Sequence, residues 1–390
     1  MDLALYHSEG GYYARAAQRS GRAGDFFTSV DIGAMFGDLL EIQVAEMAEL
    51  LAAITPEGEG RADSPAFSAD PTVSVFDLVE AGAGNGRLSS DILHAAKRRH
   101  PDIFGRTKLH LVEASAAARG AQPATLGEVA DRLGSSTARL PASFDGVLLA
   151  NELIDAFPVH QVVMRPGGLR EVYVDLAPDS VRGNAPNPAF VTREGPLSTP
   201  ALAEYLRRLD ITLEPGWRVE INLQAVDWIR EAAQRLRRGF IILIDYGHEA
   251  SQLYGVTHAG GTLTTFARHT MAGAESGAAA PWLMNPGEQD ITAHVDFTTL
   301  RRTAEAEGLA TLGFLDQTYF LMGLIEHGSE GAQGSPPNSV NPVNLDFNDR
   351  LALKTLLMPG GLGSTLKVLL LGKGVGTPAL RGCSYRMRVT

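Results

Sequence analysis

Val79-Glu80-Ala81-Gly82-Ala83-Gly84-Asn85-Gly86-Arg87 is the stretch that decides the fold of this 390-residue chain. It ends an apolar run from Val73 to Leu78 and opens a helical pattern over Leu88 to Arg98, so a strand, a glycine turn and a helix follow in series. Glycine at 82, 84 and 86 allows positive φ and removes every Cβ, letting a nucleotide-like ligand lie against main-chain N–H groups at a helix N-terminus. The spacing is G-x-G-x-G with Glu80 two residues ahead, whereas a dinucleotide fingerprint would place its third glycine where Arg87 stands. That spacing favours S-adenosylmethionine over NAD.

Outward from this turn the chain alternates between strand and helix patterns. Residues 1–71 read as an N-terminal cap segment followed by a helix over Ile32 to Ala53, where Met35, Phe36, Leu39, Leu40, Val44, Met47, Leu50 and Leu51 recur at helical spacing. Pro56 to Pro71 is a charged connector containing glycine, proline and serine. A main domain is expected over 72–390, with strands at 73–79, 108–113 and 145–150 and a helix at 87–98. An insertion at about 159–215 breaks the rhythm: Val159 to Arg165 and Glu171 to Leu176 flank Pro166-Gly167-Gly168 as a β-hairpin, and 177–200 is rich in proline. A helix over Ala225 to Arg238 then feeds the buried strand Phe240 to Asp245. Another strand and helix run from Ile291 to Glu307, a low-complexity loop occupies about 328–342, and Leu366 to Leu371 is a last strand. The expected fold is α/β, with a doubly wound, mostly parallel seven-stranded sheet of the Rossmann-like kind whose cofactor lies across the carboxyl ends of the first strands.

Composition narrows the partners. With 34 basic and 45 acidic residues the net charge is −11, which gives no electrostatic basis for non-specific nucleic-acid binding. Cys383 is the one cysteine, so neither an intramolecular disulfide nor a cysteine-based zinc cluster can form, and a reducing compartment is expected. The start, MDLALYHSEGGYY, lacks the basic and apolar regions of a signal peptide, and the longest apolar runs are strand-sized. A soluble cytoplasmic protein without membrane insertion is the expectation; the oligomeric state stays open.

Several separated segments carry a more specific signal. They are Leu5-Tyr6-His7 through Gly11-Tyr12-Tyr13, Gly24-Asp25-Phe26-Phe27-Thr28-Ser29 with Phe36-Gly37, Glu80 to Gly86, Ala150-Asn151-Glu152-Leu153-Ile154-Asp155-Ala156-Phe157-Pro158-Val159, Ile244-Asp245-Tyr246-Gly247, and Pro286-Gly287 through Asp290-Ile291-Thr292-Ala293-His294-Val295-Asp296-Phe297. In this order they resemble the MidA family of class I S-adenosylmethionine-dependent methyltransferases, which includes a mitochondrial complex I assembly factor that methylates arginine. The resemblance implies a protein substrate, with a respiratory-complex subunit as one candidate. The family usually carries a further stretch ahead of the LYH segment, on which this chain almost begins, so either the start is shortened or that helix is dispensable to the cofactor cover.

Candidate site residues follow from strand ends. Glu80 closes the first strand, where a carboxylate can bind the cofactor's α-amino group or, alternatively, serve the positive end of the next helix. Glu113 ends the second strand, placed to accept from both ribose hydroxyls; the alternative is a surface carboxylate. Asn151, Glu152 and Asp155 lie at the mouth of the fourth strand. If 152–156 is a helical turn, Glu152 and Asp155 form an i,i+3 pair able to hold a guanidinium in charge-assisted bonds, with plain capping by Asn151 as the alternative. Strand alternation predicts Asp290, Thr292, His294 and Asp296 on one face, with His294 able to take a proton or orient a substrate group. A metal on His294 and Asp296 is disfavoured, and no metal is expected. Asp245 likewise ends a core strand, as a site carboxylate or, alternatively, as a cap for the following Tyr246-Gly247 turn. Asp25, Thr28 and Ser29 are cofactor-binding candidates through the family resemblance. The functional reading is methyl transfer to a protein arginine; a non-catalytic cofactor-binding assembly factor and an NAD-dependent oxidoreductase are the alternatives.

Overall fold

Phe76-Asp77-Leu78-Val79-Glu80-Ala81 is buried at five of its six residues, as a strand covered on both faces must be, and forms β1 (Phe76–Ala81). The structure, a computed structural model, describes residues 1–14, 28–53, 75–177, 190–267, 270–272, 280–326, 345–358 and 366–385. The chain divides into two compact units, each made of separate segments. A parallel-sheet unit takes Ile32–Asn151, Ala232–Ile244 and Ala304–Thr390, and an antiparallel unit takes Met1–Asp31, Glu152–Glu231 and Asp245–Thr303.

In the parallel-sheet unit β1 pairs in parallel with β2 (Thr107–Val112) and β4 (Phe144–Asn151), and β2 pairs in parallel with β3 (Leu133–Thr137). Beyond β4 lie β9 (Leu236–His248), parallel to it, then β15 (Leu366–Lys373) and β14 (Ala310–Asp316), an antiparallel pair. The order β14-β15-β9-β4-β1-β2-β3 changes winding direction between β1 and β4, the switch point where open α/β sheets bind ligands. The order holds the expected number of strands, with β13 (Val295–Asp296) paired beside β9, but not the expected set: β1, β2, β4, β9 and β15 appear at shifted boundaries, β3 and β14 had no reading as strands, and the strand expected at Ile291 pairs in a different sheet. β3, Leu-Gly-Ser-Ser-Thr, is too polar to read as a strand; it is an edge strand and takes no apolar pattern from the core.

The helix Met35–Ala53 forms where the apolar spacing predicts it, three residues late. The helix Arg87–Arg99 packs on it, and Arg99 meets Asp38 at 3.0 Å and Glu41 at 3.1 Å while His100 Nδ1 meets Glu41 at 2.5 Å. These partners compensate a Glu41 side chain that is almost fully buried.

The antiparallel unit holds β5 (His160–Arg165), β6 (Gly168–Leu176), β7 (Phe190–Gly195) and β8 (Arg218–Ile221) in the order β7-β6-β5-β8. The expected hairpin is β5–β6, and its sheet packs Val162, Val219 and Ile221 against Leu202, Tyr205 and Leu206 of the helix Ala201–Leu209. A three-stranded sheet of β10 (Thr264–Ala267), β11 (Thr270–Ala272) and β12 (Asp290–Thr292) stands beside Leu5, Tyr12 and Leu263 of a second apolar cluster. β13 (Val295–Asp296) pairs in parallel with the end of β9. The expected loop at 328–342 lies outside the described residues. Among the described residues no helix is long and apolar enough to cross a membrane.

Candidate active site

The glycine turn of the parallel-sheet unit has the backbone its sequence requires. Gly82, Gly84 and Gly86 take φ of 74°, 51° and 85°, the left-handed region that side chains with a Cβ avoid. The turn is tied to β2, because Val112 O accepts from Gly82 N at 2.9 Å and from Ala83 N at 3.1 Å. A Cβ on Gly84 would meet nothing within 4 Å, so the space beside its Cα is open to an approaching ligand. Gly86 differs: a Cβ there would stand 3.1 Å from Leu111 Cδ1, so its glycine serves the packing of the helix start.

Glu113 ends β2, fixed by its own N–H bonding Thr137 O on β3 at 2.9 Å. Its Oε2 accepts from Gly84 N at 2.8 Å and its Oε1 from Ser115 N at 2.7 Å. An ionised carboxylate offers about four lone-pair sites, so two remain for a diol. Glu80 behaves otherwise. It is buried, its Oε2 accepts from both the backbone N–H (3.2 Å) and the hydroxyl of Ser89, and burial pushes its pKa up to about 7. That oxygen serves the first turn of the helix Arg87–Arg99, the structural alternative named for this residue. Gln122 was not legible in sequence: its amide donates to Gly84 O at 2.8 Å while its carbonyl accepts from Ser136 of β3 at 2.6 Å, which braces the turn from a fully buried position.

Asn151 is the last residue of β4, and the antiparallel unit begins at the next peptide bond with Glu152. The helical turn expected over 152–156 does not form. Glu152 takes φ of 50°, and the N–H groups of Leu153 and Ile154 bond Asp245 Oδ2 at 3.1 and 2.7 Å in place of helical carbonyls. Without a helix Asn151 has no helix to cap and no i,i+3 face exists; the two carboxylates are brought together by a bend organised on Asp245. Asp245 is 1% exposed, also accepts from Tyr246 N at 2.8 Å, and is pushed up to about 7 by burial. Burial and the like charges of Asp245, Asp290 and Glu152 push the Asp155 carboxyl well above the usual range. Asp290 Oδ1 accepts from Tyr13 OH at 3.0 Å, and Tyr13 stacks on Tyr6, whose hydroxyl bonds Ala156 O at 3.0 Å. The LYH and GYY segments thus furnish aromatic walls to an acidic bend.

Ser29 N donates to Glu152 Oε1 at 3.4 Å, whereas Thr28 turns its N–H and hydroxyl to Asp31 at 3.0 and 2.9 Å. Both therefore belong to the antiparallel unit's local bonding, and Asp25 lies outside the described residues.

The expected polar row from Asp290 to Asp296 is not one row. β12 pairs with β10 and β13 with β9, so the backbone breaks at Ala293 and His294 to change sheets and the alternation is lost. Asp290 goes to Tyr13. Asp296 accepts from Tyr205 OH (2.8 Å), Thr299 Oγ1 (2.6 Å) and the N–H groups of Thr298 and Thr299 (3.0 and 3.1 Å), a filled set that leaves nothing for a ligand shared with His294. His294 stands instead against His248 and His258, which no sequence motif joins to it. Burial and those two rings lower its pKa to about 4, so it is neutral at pH 7.

A Rossmann-like sheet with this strand order and a left-handed glycine turn after β1 defines a class I S-adenosylmethionine-dependent methyltransferase. The family described as "Putative S-adenosyl-L-methionine-dependent methyltransferase" matches residues 64–315. Protein arginine methyltransferase NDUFAF7, mitochondrial, of Mus musculus is 31% identical over 348 residues, 82% of this chain and 68% of that protein, and its Homo sapiens counterpart is 31% identical over 352 residues with the same coverage. A Burkholderia thailandensis crystal structure bound to S-adenosyl-homocysteine aligns with a TM-score of 0.77 at 26% identity, covering 98% of this chain and 88% of that one. The chain belongs to the MidA family of S-adenosylmethionine-dependent methyltransferases. The NAD-dependent reading is thereby set aside.

Proposed function

We propose that this enzyme methylates an arginine side chain of a protein substrate, with S-adenosylmethionine as methyl donor. One observation carries the choice of arginine: burial and the like charges of Asp245, Asp290 and Glu152 raise the proton affinity of Asp155 in the bend that starts one residue after β4. Such a bend gains from a cation. Guanidinium keeps its charge at any pH the protein experiences, having a pKa above about 12, and its planar fork fits paired carboxylates better than an ammonium does. Glu152 and Asp155 are the groups proposed to bind it, drawing its charge away from the attacking nitrogen and receiving the proton that must leave. Tyr6 and Tyr13 exclude water from the bend. The relatives named above as protein arginine methyltransferases support the same reading.

The bound cofactor supplies a methyl already activated on a sulfonium. For that group the residues of the turn fit: open space beside the Gly84 Cα and two lone-pair sites on Glu113 for a ribose diol. Alignment of nitrogen and methyl is then the main barrier-lowering effect, and proximity of this kind is worth roughly 7–11 kcal/mol. A protein of this composition, with a lone cysteine, suits a reducing aqueous compartment such as the cytoplasm, and a respiratory-complex subunit is one candidate substrate. The test is incubation of the enzyme with methyl-labelled cofactor and cell lysate, followed by mass spectrometry of the labelled protein. Methylated arginine is expected; label on lysine, on a carboxylate or on a small molecule refutes the assignment.

A further inference from the structure

The methyl-transfer reading leaves His248, His258 and His294 unused, although the fold goes to some length to assemble them. All three lie in the antiparallel unit, on separate pieces of chain: His248 ends β9, His258 ends the short turn Val256–His258, and His294 occupies the break between β12 and β13. Their ring centroids are 4.7 Å (248 to 258), 5.2 Å (248 to 294) and 5.8 Å (258 to 294) apart. One ring nitrogen from each lies within 4.8 Å of one from each of the others.

The hydrogen bonding at two of these rings favours ligation. His258 Nδ1 lies 3.0 Å from Gln252 O, and since a carbonyl only accepts, Nδ1 carries the proton and Nε2 keeps its lone pair. A ring fixed by a backbone carbonyl on one nitrogen and free on the other is the usual support of a metal-bound histidine. His294 Nδ1 is buried and has no hydrogen-bond partner, a state folded proteins rarely leave uncompensated. The backbone of His294 is held meanwhile by its N–H bonding Thr262 Oγ1 at 3.0 Å.

We propose that His248, His258 and His294 bind one divalent transition-metal ion, zinc in the first instance, with a further coordination position left to water. Three imidazoles suit zinc and its neighbours and not magnesium or calcium, which select oxygen. In a tetrahedral site with metal–nitrogen bonds of about 2.0–2.1 Å the ligand nitrogens stand about 3.3 Å apart, so small ring rotations at these partly exposed side chains complete the geometry. The ion would tie β9, the 256–258 turn and the 293–294 break together. Ala293 N bonds Asp155 O at 2.9 Å, so it would also steady the backbone of the acidic bend.

The test uses the whole protein, freed of metal with a chelator and then titrated with zinc chloride by calorimetry and with cobalt(II) by visible absorption. One equivalent of zinc at micromolar affinity or tighter, d–d bands of a low-coordinate nitrogen and oxygen site for cobalt, and a higher thermal midpoint with zinc are expected. His258→Ala, at a partly exposed position where folding is easily verified by circular dichroism, and His294→Gln should each weaken zinc at least a hundredfold, while His94→Gln in the parallel-sheet unit should not. Failure of the wild type to bind zinc stoichiometrically, or undiminished zinc binding by His258→Ala, overturns the proposal.

Discussion

Replacing Glu113 by alanine separates two jobs that this carboxylate does at once. Its oxygens each accept one loop N–H, from Gly84 and from Ser115, and the remaining lone pairs are those assigned to the ribose diol. A hydrogen bond to a charged group contributes about 1.5–3 kcal/mol, so loss of one ribose contact should weaken S-adenosylhomocysteine roughly 10- to 150-fold. Loosening of Gly84 adds to this, because its N–H then has only water to bond. Calorimetry with the natural ligand alone cannot apportion these effects, but a 2′-deoxyadenosyl analogue can. Wild type should bind the analogue about tenfold or more weaker than the parent; Glu113→Ala should bind the two equally. An unchanged dissociation constant would assign Glu113 to the surface. A weakened constant with the discrimination intact would show that Glu113 holds the turn and never touches the ribose.

Gly84→Val should leave the fold intact, since a Cβ there meets nothing within 4 Å, yet abolish cofactor binding by calorimetry: a branched side chain at φ of 51° costs roughly 1–3 kcal/mol and fills the open space beside the Cα. Glu80 has a folded pKa of about 7 against 4.5 unfolded, so the native state holds a proton that the unfolded chain releases between those values, and stability should fall as pH rises from about 5 to 8. Urea titrations of Glu80→Gln should show that fall reduced by on the order of 3 kcal/mol, with a residual slope from Asp245, which is raised in the same direction. Glu152→Gln and Asp155→Asn should keep cofactor affinity within a few-fold while methyl transfer drops at least a hundredfold, about 2.7 kcal/mol of transition-state stabilisation. Asp155→Asn should also lessen the loss of thermal stability as pH rises, because burial and the neighbouring carboxylates oppose the charged form of Asp155. Full activity in both variants would refute guanidinium binding by this bend.

What the sequence made legible, and what it hid, divides along the range of the interactions concerned. The glycine turn was readable because positive φ is a demand of single residues, and Gly82, Gly84 and Gly86 all meet it. β1, β2 and β4 were readable because strands covered on both faces are continuously apolar. The acidic bend was placed correctly at the end of β4 but given the wrong backbone. A local pattern of Glu152 and Asp155 reads as a helical turn, and only Asp245, about ninety residues downstream, supplies the carboxylate oxygen that takes Leu153 N and Ile154 N away from helical pairing. The Asp290 to Asp296 row failed for a related reason: alternation holds only while a strand keeps its partner, and this one leaves β10 for β9 midway. Gln122 and the grouping of His294 with His248 and His258 were hidden, since their meaning lies in neighbours brought by other elements; His294 itself was legible only as a member of the row that does not form. The physical consequence bears on function. The cofactor turn rests on local backbone chemistry, whereas the acidic bend is held open by a buried carboxylate from a distant strand and walled by tyrosines from the first fourteen residues. Substitutions far from Glu152 in sequence, at Asp245 or Tyr13, should therefore alter substrate methylation more than cofactor affinity, and that asymmetry is what a substrate bend built from long-range contacts requires.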